Sequence, residues 1–451
     1  MVASTPGQHP PPEQHHPRAD AAELRALRAR LAALDPAEAT NVIERMPNDE
    51  RAIAFRLLPK GEALEVFENL DPALQSELID ELREETIADL VAGLDPDDRA
   101  RLFDELPAGL VAKLLSGLSP SERSMTTTLL GYPENSAGRR MTPEVAWLPV
   151  DMTAGRAIER LRAYGDAAET IYSVPVLAEG RRVVGVVSLR RLLLSDPATP
   201  LGEIMSEPVW AEATDDQEDA ARQVREGGFI AIPIVDHESR LVGVLTVDDA
   251  MEILEDEEDE DAARSGGTEP LRRPYLSTSL FGLVKARVVW LLVLIVAASL
   301  TVGVQSFFEE ELDTVVALAL FIPLLIGTGG NAGAQAATTV VRAMAVEHVT
   351  PGDILRVVGR EVLVGAMLGA TLATVGFLPA MLVAGAPIAV VLAITVVAVC
   401  TLATTAGSAV PLTARKVGVD PAIVSAPFIA TIVDTLGLII YFSVAKVVLG
   451  I

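Results

Sequence analysis

Five long apolar runs fill the C-terminal part of this chain and set its fold class before any other feature is weighed. Residues 288–307, 315–340, 362–383, 387–410 and 423–444 each supply the about 20 residues that a helix needs to cross a bilayer. The charges between the runs fix a direction. With residues 1–284 on the cytoplasmic side, the first outer loop is Glu309-Glu310-Glu311. The inner loops carry Arg342, Arg356 and Arg360, then Arg415 and Lys416, and the outer loop near Gly385 has no charge. Each connection obeys the positive-inside rule. An odd number of spans places the C-terminus outside, where Lys446 reads as a lone contrary charge.

The rest of the chain is of another kind. Of 36 basic and 62 acidic residues, only eight and nine fall in 285–451, so nearly all of the net charge of −26 sits in the soluble part. Such a field attracts cations and repels nucleic acid and anionic headgroups; a surface that is charged for solubility reads the same way. The single cysteine, Cys400, lies in an apolar run and excludes a disulfide framework or a cysteine metal site within the chain. The N-terminus lacks the basic-then-apolar order of a signal peptide, so the soluble part is expected in the cytoplasm. Residues 1–20, with His9, His15 and His16 among Pro and Gln, read as a disordered leader rather than a metal-binding tail.

Residues 21–135 have apolar residues at helical spacing and an internal repeat. Leu70-Asp71-Pro72, Leu94-Asp95-Pro96 and Leu118-Ser119-Pro120 recur every 24 residues, and Leu34-Asp35-Pro36 lies 36 earlier. Asp or Ser caps a helix, and Pro fits its first turn, where a missing N–H costs nothing. Stacked short helices in a small superhelix follow. From Met141-Thr142-Pro143 two similar units succeed one another. Each has a helix, a strand (Ser173-Val174-Pro175-Val176; Ala231-Ile232-Pro233-Ile234-Val235), a second strand (183–188; 241–246) and a further helix. This order resembles a tandem pair of CBS domains, 136–200 and 201–247, which implies a regulatory module that senses adenine nucleotides or ions. Residues 248–284 form an acidic connecting helix and linker, and 285–451 the membrane domain. The expected fold is therefore multidomain: an all-α superhelical N-domain, an α/β CBS pair and an all-α five-helix transmembrane domain.

Two membrane features carry chemistry. Asp434 stands mid-span in Thr431-Ile432-Val433-Asp434-Thr435 with no basic residue at its depth. A carboxylate there is costly and reads as functional, against the alternative of a protonated Asp bonded to a neighbouring helix. The second span contains Pro323-Leu-Leu-Ile-Gly327-Thr-Gly329-Gly330-Asn331-Ala-Gly333-Ala-Gln335. Glycines this dense permit close helix packing or free backbone carbonyls along a wet path; Asn331 and Gln335 favour the second.

Together these elements resemble the MgtE family of magnesium channels over nearly the whole chain. The most specific parts are 323–335 and Asp420-Pro421-Ala422…Ala426-Pro427…Thr431…Asp434. The resemblance implies a homodimer in the cell inner membrane, in contact with lipid and Mg2+ and with no nucleic-acid partner. Its pore is lined by the second and fifth spans. Asp434 matches the pore carboxylate, Ala430 a carbonyl that faces the ion, and Gly327 and Gly330 the glycine-rich wall; Asn331, Gln335 and Thr431 line the same path. Magnesium sheds water reluctantly, so two Asp434 side chains, one per subunit, suit a hydrated ion. The resemblance further implies gating. Mg2+ held between Asp216 and Glu218 of the CBS pair and Asp249, Glu252, Glu257, Glu260 and Asp261 of the connecting helix keeps the pore shut, with Asp420 at the inner mouth and Asp95 of the N-domain contributing. A carboxylate run also reads as a solvated helix end.

The sequence departs from the family at Gly228, where relatives place an acidic ligand, and at Ala334 and Ala426, which can be Asn. Tyr172, Phe229, Thr246 and Asp249 suit an adenine nucleotide, so ATP is a second expected ligand, although Arg191 stands where an Asp is expected. Transport of another divalent ion such as Co2+ or Mn2+, or a CBS-regulated receptor, are the alternatives. No nucleophile–base or metal-ligand cluster appears in the membrane runs, and no enzyme activity is expected.

Overall fold

The computed structural model describes residues 21–271, 274–276, 278–346, 348–421 and 426–451; the expected leader and the start of the fifth run at 423 lie outside these. Two compact units divide the chain. One holds residues up to 247 with a short stretch near 275, the other the remainder.

The first unit begins with short helices: α1 (Ala21–Leu31), α2 (Pro36–Glu44), α3 (Asn48–Arg56), α4 (Lys60–Glu68), α5 (Pro72–Glu81), α6 (Glu84–Gly93), α7 (Pro96–Glu105), α8 (Ala108–Gly117) and α9 (Pro120–Leu130). Each Pro of the repeat opens a helix. Asp35 and Asp71 accept cap hydrogen bonds from the N–H groups of Glu38 and Ala73, and Ser119 forms a capping box with Glu122. Asp95 holds the same position on α7 but caps nothing. A second 24-residue register runs through the middle of the repeats, at Arg51, Gln75, Arg99 and Arg123. Gln75 Nε2 donates to Phe67 O (2.6 Å), Arg99 Nε to Val91 O (2.7 Å) and Arg123 Nε to Leu115 O (2.7 Å), each eight residues back. Arg51 donates to Met46 O (3.1 Å) and pairs with Glu77 (2.7 Å). These long donors serve carbonyls orphaned at the ends of preceding helices, and they hold together an apolar core that includes Phe55, Phe67 and Phe103.

The CBS pair follows, with α10 (Ala137–Arg140), β1 (Leu148–Pro149), α11 (Ala154–Tyr164), β2 (Ser173–Leu177), β3 (Val183–Ser188), α12 (Leu189–Leu194), α13 (Leu201–Ile204), β4 (Ala211–Glu212), α14 (Gln217–Gly227), β5 (Ala231–Val235) and β6 (Leu241–Thr246). Two three-stranded sheets, β1-β2-β3 and β4-β5-β6, share one register, with Val176 opposite Gly185 and Ile234 opposite Gly243. The Met-led segments are exchanged between the halves. Thr142 bridges to Val244 of β6 and Ser206 to Val186 of β3. A Cβ on Gly243 would stand 2.5 Å from Met141 Sδ, and one on Gly185 2.4 Å from Met205 Sδ. The paired Met and Gly of the sequence repeat are thus one steric device used twice.

The second unit contains most of α15 (Val247–Ser265) and the membrane helices α16 (Leu280–Phe307), α17 (Glu309–Thr314), α18 (Ile322–Ala345), α19 (Ile354–Ala384), α20 (Ala386–Lys416) and α21 (Ala426–Leu449). Among the described residues, five segments are long and apolar enough to cross a membrane. Small residues bring α18, α19 and α20 together. A Cβ on Gly407 would lie 2.3 Å from Gly333 O, one on Gly369 2.5 Å from Val397 Cα, and one on Gly365 2.7 Å from Cys400 O. α16 buries none of its residues in this chain and packs on α21. Lys446 is not a lone charge, contrary to expectation: its Nζ stands 2.7 Å from Glu311 Oε1, so the carboxylates after α16 neutralise it.

Candidate functional site

The membrane site is built where α18 crosses α21. Asp434 is half-buried, and its Oδ1 is shut off from solvent with no hydrogen-bond partner among the described residues. Opposite it, Gly330 leaves room: a Cβ there would lie 3.3 Å from Ala430 Cβ and 3.6 Å from Asp434 Oδ1. Valine 433, by contrast, turns into the bundle against Gly329 and Gly333. Thr431 and Thr435 spend their hydroxyls on the backbone, to Pro427 O (2.9 Å) and Thr431 O (3.1 Å), and Thr435 also meets Thr301 of α16 at 3.0 Å. Along α18, Gly327, Asn331 and Gln335 recur every four residues and are all exposed, so one face of a membrane helix shows two amides and an open glycine. The expected freeing of carbonyls by the glycines is not seen: α18 is one uninterrupted helix, and the buried glycines serve close approach to α20 and α21. Ala430 likewise lies within continuous α21, its carbonyl in the helical ladder.

On the connecting helix, Asp249, Glu252, Glu257, Glu260 and Asp261 all fall on α15. Arg264, the helix's one basic residue, pairs with Glu260 one turn back, and its Nη1 stands 2.6 Å from Asp420 Oδ2 just beyond α20. Burial works to lower the pKa of this guanidinium, but the hydrogen bond to Asp420 and the charges of Glu260, Asp420 and Asp261 outweigh it and raise the value.

In the CBS pair, Asp216 is the N-cap of α14 and accepts from Glu218 N–H at 2.8 Å, while Glu218 forms an ion pair with Arg222. Gly228 ends α14 at φ +62°, a left-handed stop that suits glycine. A carboxylate group not foreseen from sequence surrounds Asp95. Burial first, then the charges of Asp95, Asp98, Glu65 and Glu169, push Glu68 up to about 7. Glu144 is raised by burial and by Asp95, against Arg99. In the sequence, Asp95 stands out by the adjacent carboxylate pair Asp97 and Asp98 that follows its Pro. Among the described residues no group of three or more His, Cys, Asp or Glu side chains is placed to hold a metal ion.

Of the four residues expected for a nucleotide, Phe229 lines a cleft of about 300 Å3 with Ser173, Ser188, Arg191, Ser206 and Glu207. Tyr172 is 62% exposed, Thr246 is buried at the end of β6, and Asp249 lies on α15; none of the three lines that cleft.

Fold and site together define a multi-pass membrane protein with a helical N-domain, a CBS pair and a bundle of five long apolar helices among the described residues that carries a half-buried carboxylate. Residues 322–444 match a family model described as MgtE, divalent cation transporter. Residues 34–135 match the MgtE intracellular N domain, and 137–196 and 201–256 match CBS domains. The magnesium transporter MgtE of Thermus thermophilus is 36% identical over 441 residues, 95% of this chain and 96% of the relative. That of Bacillus subtilis is 33% identical over 70% of each chain. A crystal structure of the cytosolic domain of the Mg2+ channel MgtE in complex with ATP is 35% identical, with a TM-score of 0.47 over 51% of this chain and 94% of that one. The chain belongs to the MgtE family.

Proposed function

We propose that this chain is a magnesium transporter of the cell inner membrane that works as a homodimer, with the ion path between two copies and lined by α18 and α21. The observation that carries this reading is Asp434: a carboxylate oxygen enclosed in the membrane unit with no hydrogen-bond partner among the described residues, facing a glycine of the neighbouring helix. An intramembrane carboxylate with no counter-charge marks an ion pathway. The exposed row of Gly327, Asn331 and Gln335 supports a path at the surface of one copy, since amides facing lipid tails would be unsatisfied. The names of the curated relatives support Mg2+ as the ion. Because Ala334 and Ala426 remove amide contacts that relatives can have, Co2+ or Mn2+ are the second reading, and ion competition separates the two. The test is Mg2+ uptake into proteoliposomes. Asp434→Ala abolishes it while the protein still folds; full uptake by the folded variant overturns the assignment.

The same reading has Mg2+ close the path from the cytoplasm through the carboxylates of Asp216, Glu218, Asp249, Glu252, Glu257, Glu260, Asp261 and Asp420, with the group around Asp95 as a further contributor. Divalent ions bridge carboxylates that otherwise repel, and a ligand shifts the equilibrium only as far as it prefers one state. Neutralising Glu257, Glu260 and Asp261 together leaves uptake open at high internal Mg2+; unchanged closure removes these residues from the sensor. The C-terminus lies outside the cell in this scheme, with the Lys446–Glu311 pair on the same side. ATP belongs in the Phe229 cleft, where the aromatic wall suits a base and Arg191 a phosphate.

A further inference from the structure

Asp420, assigned to the inner mouth, and Glu260 of the connecting helix already hold a cation. α15 carries a run of acidic residues from Glu255 to Asp261 and a single basic side chain, Arg264, in its last turn. That guanidinium lies between two carboxylates from different parts of the second unit, Glu260 of its own helix and Asp420 beyond α20, and closes on Asp420 at 2.6 Å. Three partly exposed side chains, each about a third accessible, share the arrangement. Helix α15 ends at the next residue, with Gly267 at φ +70° just beyond.

A divalent ion on the same oxygens, hydrated or not, would stand within a few ångströms of the guanidinium, where like charges repel strongly. Both cations cannot keep the site. We propose that Arg264 is the resident cation of the Asp420–Glu260 pair, and that a divalent ion reaches these carboxylates only by displacing it. This rests on the gating reading given above. Two consequences follow. Without Mg2+, the connecting helix stays tied to the end of α20 by protein alone. With Mg2+, the apparent affinity of the mouth is reduced by the cost of expelling the arginine. An ordinary exposed ion pair, which contributes little, would have neither effect.

The test uses the full-length protein in lipid, wild type against Arg264→Gln and Arg264→Lys. It reads three quantities: Mn2+ binding by electron paramagnetic resonance, hydrogen exchange of residues 255–265 without divalent ions, and the Mg2+ concentration that halves the current. Removing the resident charge should tighten Mn2+ binding by about fivefold or more, with that gain lost when Asp420→Asn is added. It should also speed exchange of α15 in the absence of divalent ions and lower the half-closing Mg2+ concentration by the same factor, while Arg264→Lys stays near wild type. Unchanged or weaker Mn2+ binding in Arg264→Gln overturns the proposal. If binding tightens in Arg264→Gln but the wild-type current ignores Mg2+, the resident cation stands and the gating reading falls.

Discussion

Asp434 and Glu68 are both carboxylates that the fold leaves under strain, and the surroundings separate their roles. Asp434 has an enclosed oxygen with no donor among the described residues, which costs stability. Asp434→Asn keeps the shape and removes the charge. It should melt at or above the wild-type temperature in detergent while losing transport; a variant that unfolds would make Asp434 a structural residue. Glu68 is in the cytoplasmic unit and is raised to about 7, by burial and then by Asp95 and Asp98. An acid with a raised pKa binds its proton more tightly when folded, so the folded state loses stability as pH climbs from about 4.5 to about 7. Glu68→Gln should therefore melt higher than wild type at pH 8, and the advantage should shrink toward pH 5. Equal melting at pH 8 would show that the carboxylates around Asp95 do not repel. Asp434 was legible because a lone charge in an apolar run stands out. Glu68 was not, because a glutamate on a charged helix looks solvated until Asp95 and Glu169 arrive from distant parts of the chain.

At the scale of elements, helix starts were readable from Asp-Pro and Ser-Pro steps, since capping is local chemistry. The ladder of Arg51, Gln75, Arg99 and Arg123 escaped notice, because an arginine or glutamine between charged residues reads as surface until the preceding helix end needs donors. Arg99→Met removes donors from Val91 O and Thr126 Oγ1. It should cost about 2 kcal/mol or more, seen as a lower cytoplasmic-unit melting temperature; an unchanged transition would mean water serves those groups equally well. The glycines of the membrane unit divide similarly. Gly407→Ala drives a Cβ into Gly333 O and should destabilise the bundle by about 1–3 kcal/mol. Gly359→Ala, at an exposed helical site with nothing near, should stabilise it by up to about 1 kcal/mol. Thermal unfolding in detergent checks both, and equal effects would contradict the packing described. Sequence favours a wet path for the glycine-rich stretch of α18; in the helix Gly329, Gly330 and Gly333 serve packing while Gly327, Asn331 and Gln335 stay open.

Over the whole molecule, hydropathy foretold the five long apolar helices found among the described residues, and the strand–helix order foretold the CBS pair. The exchange of Met141 and Met205 between its halves was hidden, because neither residue's partner is near in sequence. Arg264 is hidden for the same reason: beside a run of carboxylates it reads as a local helix pair, and the return of the chain at Asp420 gives it a second partner. The proposed ion path requires that Mg2+ pass by Asp434. Patch recording of the full-length protein in lipid, with cytoplasmic Mg2+ stepped from low to high concentration, tests it directly. Wild type should carry a Mg2+ current that shuts as cytoplasmic Mg2+ rises, and folded Asp434→Ala should carry none. A Mg2+ current that survives in Asp434→Ala would contradict the ion path placed between α18 and α21.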